Sequence, residues 1–465
     1  MSKEQKMTLL VAVTTAFLTT FMGSALNLSI PNIEKEFTVG AAVVGWVVST
    51  YIFAVSAINV PVGKIADAVG RKKILVTGIG LFTVACILSV FSVSIWMLLA
   101  MRLVQGIAAS MLFATNNAIL LEAFPPEKHG QALGKSVAAT YTGLSLGPVI
   151  GGVLNHNFGW RAVFLASAVV GLVAFAVAVK ELPKDNMRKP ADSRSHYDFK
   201  GGILYMLMIM GVIFGLTNLT VNSYSWMILA GGLILGVFFV MTEKKAEDPI
   251  IKISMFADDP VFMLSNLAAM LNYGATFALS YLPSIFLQAV QGCSSQTAGL
   301  ILIAQPVVMA LLSPKMGALS DRIAPYKLAT AGMAICTIGL VVFTRLDQGM
   351  SNAVIIGLMI FTGIGFAMFS SPNTKAIMSR VRQEDYSVAN AITATMRNLG
   401  QSFSMAIVTI VMGSVLGNST FSSAGQDNLI HAMRISFVVF VILGVCATVM
   451  SFMRSGKSET KRQDK

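Results

Sequence analysis

Charge is scarce in this 465-residue chain. Only 12% of residues are Asp, Glu, Lys or Arg, against about 25% in soluble domains. Acids are scarcest where they would matter most, since no Asp or Glu falls in the central part of any long apolar run. The four cysteines, Cys86, Cys293, Cys336 and Cys446, are scattered without C-x-x-C spacing. That excludes a thiolate metal site or a redox pair and leaves them as small apolar fillers. His129, His156, His196 and His431 have no metal-like neighbours. No G-x-x-x-x-G-K-[ST] loop is present, so the chain has no ATP-hydrolysing motif. A ring-forming acidic or carbonyl filter is also missing, which argues against an ion channel. The sequence gives no sign of a catalytic centre or a cofactor site.

Apolar residues are abundant: 55% are hydrophobic, and mean hydropathy is +0.72. A membrane span needs about 20 such residues. About 14 runs qualify, roughly 8–30, 42–62, 74–93, 96–121, 135–154, 160–179, 201–219, 225–242, 261–288, 297–318, 327–345, 353–377, 389–416 and 431–452. The first follows Lys3 and Lys6 like a signal peptide but has no small-residue cleavage site before Pro31, so it reads as a retained span.

The net charge of +12 invites a nucleic-acid reading, which its distribution refutes. Of 34 Lys and Arg, 28 fall in the tails and even-numbered loops. Four lie on the opposite side (Lys35, Arg161, Arg345 and Arg434), and Arg102 and Arg397 lie inside spans. This asymmetry places both termini in the cytoplasm by the positive-inside rule. It implies an even number of spans and a lipid bilayer as partner, with no role for nucleic acid.

Two loops repeat. Gly63 and Asp67 precede Gly70-Arg71-Lys72-Lys73 between the second and third runs; Gly317 and Asp321-Arg322, with Lys327, hold the same place in the second half. The expected architecture is an all-α membrane protein of two six-helix bundles with two inserted central helices. Its divisions are an N-terminal bundle over 1–180, linkers and two extra spans over 181–258, a C-terminal bundle over 259–453, and a polar, disordered tail over 454–465. Duplicated halves are one way to build a transporter.

These residues resemble the major facilitator superfamily, and within it the 14-span drug:proton antiporter branch. Gly63, Asp67, Gly70, Arg71 and Lys72 match its loop motif, and Arg102, Gln105 and Gly106 its span-4 motif. Gly143, Gly147, Pro148, Gly151 and Gly152 match its span-5 antiporter motif. Asn27 and Pro31 resemble the end of its first span, and Arg397 to Ile407 resembles a span-13 segment of the branch. The resemblance covers nearly the whole chain. It departs at Met22, where the family usually carries an acid, at Ala324-Pro325-Tyr326 in place of the Gly-Arg-Lys loop ending, and at Ala162 in place of a second Trp.

The physical roles follow from residue type. Asp67, beside Arg71, can hold a helix N-terminus or an arginine as a latch; Asp321 and Arg322 are its echo. Arg102 lies too deep to be an interface anchor, and an intramembrane guanidinium costs on the order of 2.5–3.5 kcal/mol. It should therefore face a polar interior, with backbone carbonyls, Gln105, Asn116, Asn117 or groups of the first span as partners. With Arg397, it is a candidate proton relay or substrate anchor, or else a structural arginine. The glycines at 143, 147 and 151 share a face on which a neighbouring backbone can approach closely. Pro148 should bend that helix, and the expected place of this face is the interface between the halves. Asn27, Tyr51, Asn116, Asn117, Tyr141, Asn272, Tyr273, Tyr281, Gln305 and Asn373 are candidates to line a substrate cavity, or to join helices by hydrogen bonds.

The resulting expectation is a monomeric secondary transporter of a prokaryotic plasma membrane. It would export small amphipathic molecules in exchange for protons, with substrate bound near the midplane. A facilitator or symporter of a polar metabolite on the same fold is the alternative; a membrane sensor without transport is a further rival.

Overall fold

A computed structural model describes residues 1–39, 41–182, 198–219, 224–416 and 425–454. Among these there is no strand. In hydrocarbon, a spanning segment must satisfy its backbone groups internally, and a helix does so within one segment. Among the described residues, fourteen helices are long and apolar enough to cross a membrane. Their regular helices are α1 (Lys3–Ala25), α2 (Ala41–Val69), α3 (Arg71–Val90), α4 (Ile95–Ala123), α5 (His129–Phe158), α6 (Arg161–Glu181), α7 (Phe199–Thr217), α8 (Ser225–Glu243), α9 (Pro260–Thr276, the first part of the span Pro260–Val290), α10 (Ala304–Leu319, the last part of the span Gln296–Leu319), α11 (Pro325–Phe343), α12 (Asn352–Met378), α13 (Tyr386–Leu416) and α14 (Gln426–Met453).

Polar caps set several starts. The Ser94 hydroxyl accepts from the Met97 amide at 3.2 Å. Asp259 accepts from the Val261 and Phe262 amides at 3.0 and 3.1 Å, satisfying donors that a helix leaves free at its first turn. The ninth and tenth spans, Pro260–Val290 and Gln296–Leu319, are continuous but locally irregular. α9 is followed by Ala278–Ile285 and a π turn, Phe286–Val290, and Ser295–Leu302 precedes α10. Pro306, lacking an N–H, cannot bond back to the Leu302 carbonyl, which is where the helix before α10 stops.

The chain divides into two compact units. Unit 1 is Met1–Met206, Thr242–Lys252 and Val381–Ala394; unit 2 is Leu207–Met241, Ile253–Arg380 and Thr395–Lys465. The first two turns of α13 therefore belong with the N-terminal helices. The core of unit 1 gathers Leu18, Phe21, Met22, Phe82 and Phe164. That of unit 2 gathers Phe286, Phe343, Met359, Phe437 and Phe440, with Phe343 and Phe437 stacked at 5.1 Å.

The α5 glycine face packs inside unit 1, against α1. A Cβ at Gly143 would meet Phe17 O at 2.6 Å, and one at Gly151 would meet Ala25 O at 2.6 Å; at Gly147 it would strike the Ser24 hydroxyl. This corrects the expected place of the face at an interface between halves: its backbone approach is spent on α1. The helix continues through Pro148, and both Pro148 and Gly152 are partly buried. In unit 2, α7 and α8 cross on small residues as well, with a Cβ at Gly211 only 3.0 Å from Gly232 Cα.

A second correction concerns Arg454, expected at the head of a disordered tail. Its side chain is 0% exposed. It donates to Asn373 Oδ1 at 2.7 Å, Ser265 Oγ at 2.8 Å and Ser451 O at 3.1 Å. Burial pulls its pKa down to about 10. Asn373, which also donates to Ser265 O at 3.3 Å, is thus committed to joining α9, α12 and the end of α14 rather than to a cavity. Residues 455–465 lie outside those described.

Candidate functional site: a polar clasp on the first turn of α13

Gly63 and Asp67 are expected in a loop, but the structure places both in the last turns of α2, which runs on to Val69. Spaced four apart, they share one helix face. Only Gly70 leaves the helix. Its φ of +121° is a conformation that L side chains rarely adopt, which accounts for glycine there. This sharp turn starts α3 with Arg71 and brings it back alongside Asp67.

The Asp67 carboxylate, 7% exposed, takes donors from three residues. Its Oδ1 accepts from Arg71 Nη2 at 2.6 Å and Nε at 2.8 Å and from the Ser387 amide at 3.1 Å. Its Oδ2 accepts from the Val388 amide at 3.0 Å. Ser387 and Val388 lie in the first turn of α13, where amides are unpaired within the helix and the dipole favours an anion. Arg71, 6% exposed, completes the cluster. It also donates to the Ser387 hydroxyl at 3.1 Å, to the Gln383 carbonyl and to Glu122 at the end of α4. Asp67 and Arg71 are thus paired out of water, where charge-assisted hydrogen bonds are strong, while Glu122 meets the guanidinium from an exposed position. Gly63 lets α13 come close: a Cβ there would lie 2.9 Å from Ser387 O and 3.2 Å from Ala391 Cβ. Lys72 points elsewhere and donates to the Leu182 carbonyl.

Deeper in unit 1, a second set of contacts holds the same stretch of α13. Asn59 donates to Ala391 O at 3.1 Å. Thr15, Asn116, Ser136, Asn117 and Asn390 form a chain of hydrogen bonds of 3.1, 3.1, 3.3 and 2.8 Å. Asn116 and Asn117 therefore serve this network and are not partners of Arg102.

Arg102 is 0% exposed. It donates from Nε to Val47 O at 2.7 Å and from Nη1 to Gln105 Oε1 at 2.7 Å. Gln105 passes the chain to Ser89 Oγ at 3.0 Å. The guanidinium carbon lies 4.5 Å from the Tyr51 ring centroid, and Tyr51 donates to Thr19 O at 3.0 Å. The cation is thus held by a carbonyl, an amide and an aromatic face, while Nη2 has no hydrogen-bond partner. Met22 is fully buried in the apolar core, and its sulfur accepts from the Ser167 hydroxyl at 3.3 Å.

The remaining candidates are dispersed. Arg397 is partly buried on α13. In unit 2, Asn272 is 1% exposed with Nδ2 unpartnered. Tyr273 packs edge-on against Phe366 and Phe369, Tyr281 packs against the unit 2 core, and Gln305 donates to Thr362 Oγ1 at 3.3 Å. Tyr141 is buried in unit 1. The Asn27 side chain lies outside the described residues. In the second repeat, Asp321 accepts from Lys375 Nζ at 2.5 Å, and Arg322 is exposed.

The helical count and the paired motifs define a polytopic transport protein, and comparison with known proteins fixes the family. The Major Facilitator Superfamily model matches residues 12–405 and 262–465, and the chain belongs to that family. It is 27% identical over 459 residues to the riboflavin transporter RibZ of Clostridioides difficile, covering 98% of this chain and 99% of that protein. It is 26% identical over 428 residues to the multidrug resistance protein Stp of Mycobacterium tuberculosis, covering 90% of this chain and 76% of that one. Among solved structures, the proton:xylose symporter XylE superposes with a TM-score of 0.67 at 13% identity, over 97% of this chain and 95% of that one. That likeness bears on fold alone.

Proposed function

We propose that this multi-pass membrane protein exports small amphipathic molecules from the cytoplasm by alternating access, in exchange for protons. It works as a monomer in a prokaryotic plasma membrane with both termini inside. The observation that carries the reading is the clasp. Asp67 holds the first-turn amides of α13, a helix that begins in unit 1 and continues into unit 2. Alternating access needs contacts that form in one state and break in another. A helix terminus held by one carboxylate and steadied by one arginine is such a contact, strong when closed and readily replaced by water when open. Loss of the clasp favours the state open to the basic side.

The substrate class draws on the relatives, one named for riboflavin transport and one for multidrug resistance. Arg102 and Gln105, and less centrally Arg397, are the groups proposed to anchor substrate or relay protons. Tyr51, Tyr141, Asn272, Tyr273 and Gln305 are proposed substrate contacts. Met22 leaves the usual acidic position without a carboxyl, so the proton carrier is proposed to lie elsewhere in the chain.

The test is purified protein in proteoliposomes with an internal pH-sensitive dye under an inward proton gradient. A panel of lipophilic cations, neutral drugs and anionic drugs is then added. Substrate-dependent proton flux is the expected result. Substrate movement without proton flux overturns antiport and leaves a facilitator.

A further inference from the structure

In unit 1 another pair of carboxyl groups, one buried and one partly buried, meets at the ends of the two inserted helices. Asp198 precedes α7 and caps it, its Oδ1 accepting from the Gly201 amide at 2.8 Å. Glu243 ends α8 and is 2% exposed; its Oε2 accepts from the Ile251 amide at 2.8 Å. Each carboxyl thus spends one oxygen on a backbone amide. The other two oxygens, Asp198 Oδ2 and Glu243 Oε1, are buried with no hydrogen-bond partner. They converge over one glycine: a Cβ at Gly201 would lie 2.2 Å from Glu243 Oε1 and 2.6 Å from Asp198 Oδ2. The two oxygens are therefore separated by no more than the sum of those distances, with no side chain between them.

Two buried acceptors facing one another lack a donor. Ionising both places like charges together out of water, and one proton removes the conflict by turning one acceptor into a donor. The helix ends decide which group carries it. Asp198 sits at the N-terminus of α7, which favours an anion, and Glu243 sits at the C-terminus of α8, which does not. The charged groups that face Glu243 are Asp198 and Lys64 of α2, and Lys64 is itself paired with Asp248 of the return linker. A hard cation is a poorer occupant than a proton. Calcium takes six to eight oxygens, and among the described residues no group of three or more metal-type ligands exists.

We propose that Asp198 and Glu243 form a proton-binding site, with one proton on Glu243 Oε1 donated to Asp198 Oδ2. The protonated pair closes the ends of α7 and α8 onto the return linker, whose Asp248 holds Lys64, the residue next to Gly63. On deprotonation the proton leaves to water on the basic side. The two carboxylates then repel, and the ends of α7 and α8 loosen from α2. The inference does not rest on the transport reading and stands or falls without it.

The test is infrared difference spectroscopy of the full-length protein in lipid nanodiscs as pH is varied. Wild-type protein is expected to show the carbonyl band of a neutral carboxyl at pH 7, shifted in heavy water and lost as pH rises. Glu243→Gln, which keeps a donor at the site, should lack that band, and Asp198→Asn, which removes the like charge and offers Glu243 a donor, should weaken or abolish it at pH 7. A wild type without the band, or a band untouched by both substitutions, overturns the proposal. So does loss of the band on adding sodium, magnesium or calcium chloride at fixed pH, which would mark a cation site. Should neither variant fold, hydrogen exchange of wild-type amides over 199–203 and 243–251 decides. Exchange that quickens as the band disappears supports the site, and protection independent of pH contradicts it.

Discussion

The two G-x-x-x-D repeats share a sequence pattern but close on different partners. In the first, Asp67 holds two amides of the α13 terminus, and Arg71 ties that carboxylate to Glu122 near the end of α4. In the second, Pro325 stands where the first has Arg71, so the motif has no cation of its own there. Asp321 takes Lys375, near the end of α12. α4 and α12 are each the fourth helix of their six, so the charge order is inverted. The first motif supplies the cation and the helix the acid; the second supplies the acid and the helix the cation. The lesson is that a short motif fixes an acid at a helix end, and its neighbours decide what it holds.

The comparison predicts a graded set of effects. The largest belongs to Arg71→Ala, which leaves Asp67 and Glu122 without their shared cation. Losing one partner of a buried ion pair costs about 3–5 kcal/mol. Melting temperature should fall clearly, and transport by more than about tenfold; an unchanged melting curve would dissolve the distinction between the repeats. Next is Gly63→Ala, whose new Cβ must push against the Ser387 carbonyl. A several-fold loss of transport with normal membrane insertion is expected, and full activity would mean that α13 does not need the close approach. Arg322→Ala is the smallest, within about 0.5 kcal/mol of wild type, because Arg322 is exposed and Asp321 already has Lys375. A strong effect there would show that the second repeat uses its own cation after all.

A pH test sharpens the contrast from the opposite face. Glu36 accepts from Arg161 at 2.9 Å and from Trp160 at 2.7 Å. The Arg161 hydrogen bond is the main cause that holds its carboxyl below the ordinary range. Its stabilisation is full above that range and is lost as pH falls through the lowered value. Arg161→Ala should flatten that part of the acid limb in a melting-temperature profile. The effect is small, since this pair is partly solvated.

The helices were legible in the sequence because a span of about 20 apolar residues has few alternatives. So were the acid and arginine of the first repeat. Their partners were not: Ser387 lies 320 residues from Asp67, and a backbone amide leaves no mark in the amino-acid code. Gly63 and Asp67 read as loop residues because their polar surroundings end the apolar run before the helix itself ends. Arg454 reads as tail because it follows the last apolar residue, yet Ser265, Ser451 and Asn373 hold it. Asn116 and Asn117 carried no signal to separate a cavity wall from a network. Asp198 and Glu243 looked like ordinary linker charges, and only the bare backbone of Gly201 brings them together.

The most direct measurement is substrate flux in proteoliposomes for Asp67→Asn and Asp321→Asn side by side, normalised to inserted protein. An asparagine at 67 gives up the anion that faces a helix terminus and an arginine, each interaction worth about 1–3 kcal/mol. The account predicts at least about tenfold loss at 67 and no more than about threefold at 321. Equal losses, or full flux from Asp67→Asn, would contradict the claim that the clasp on α13 governs the cycle.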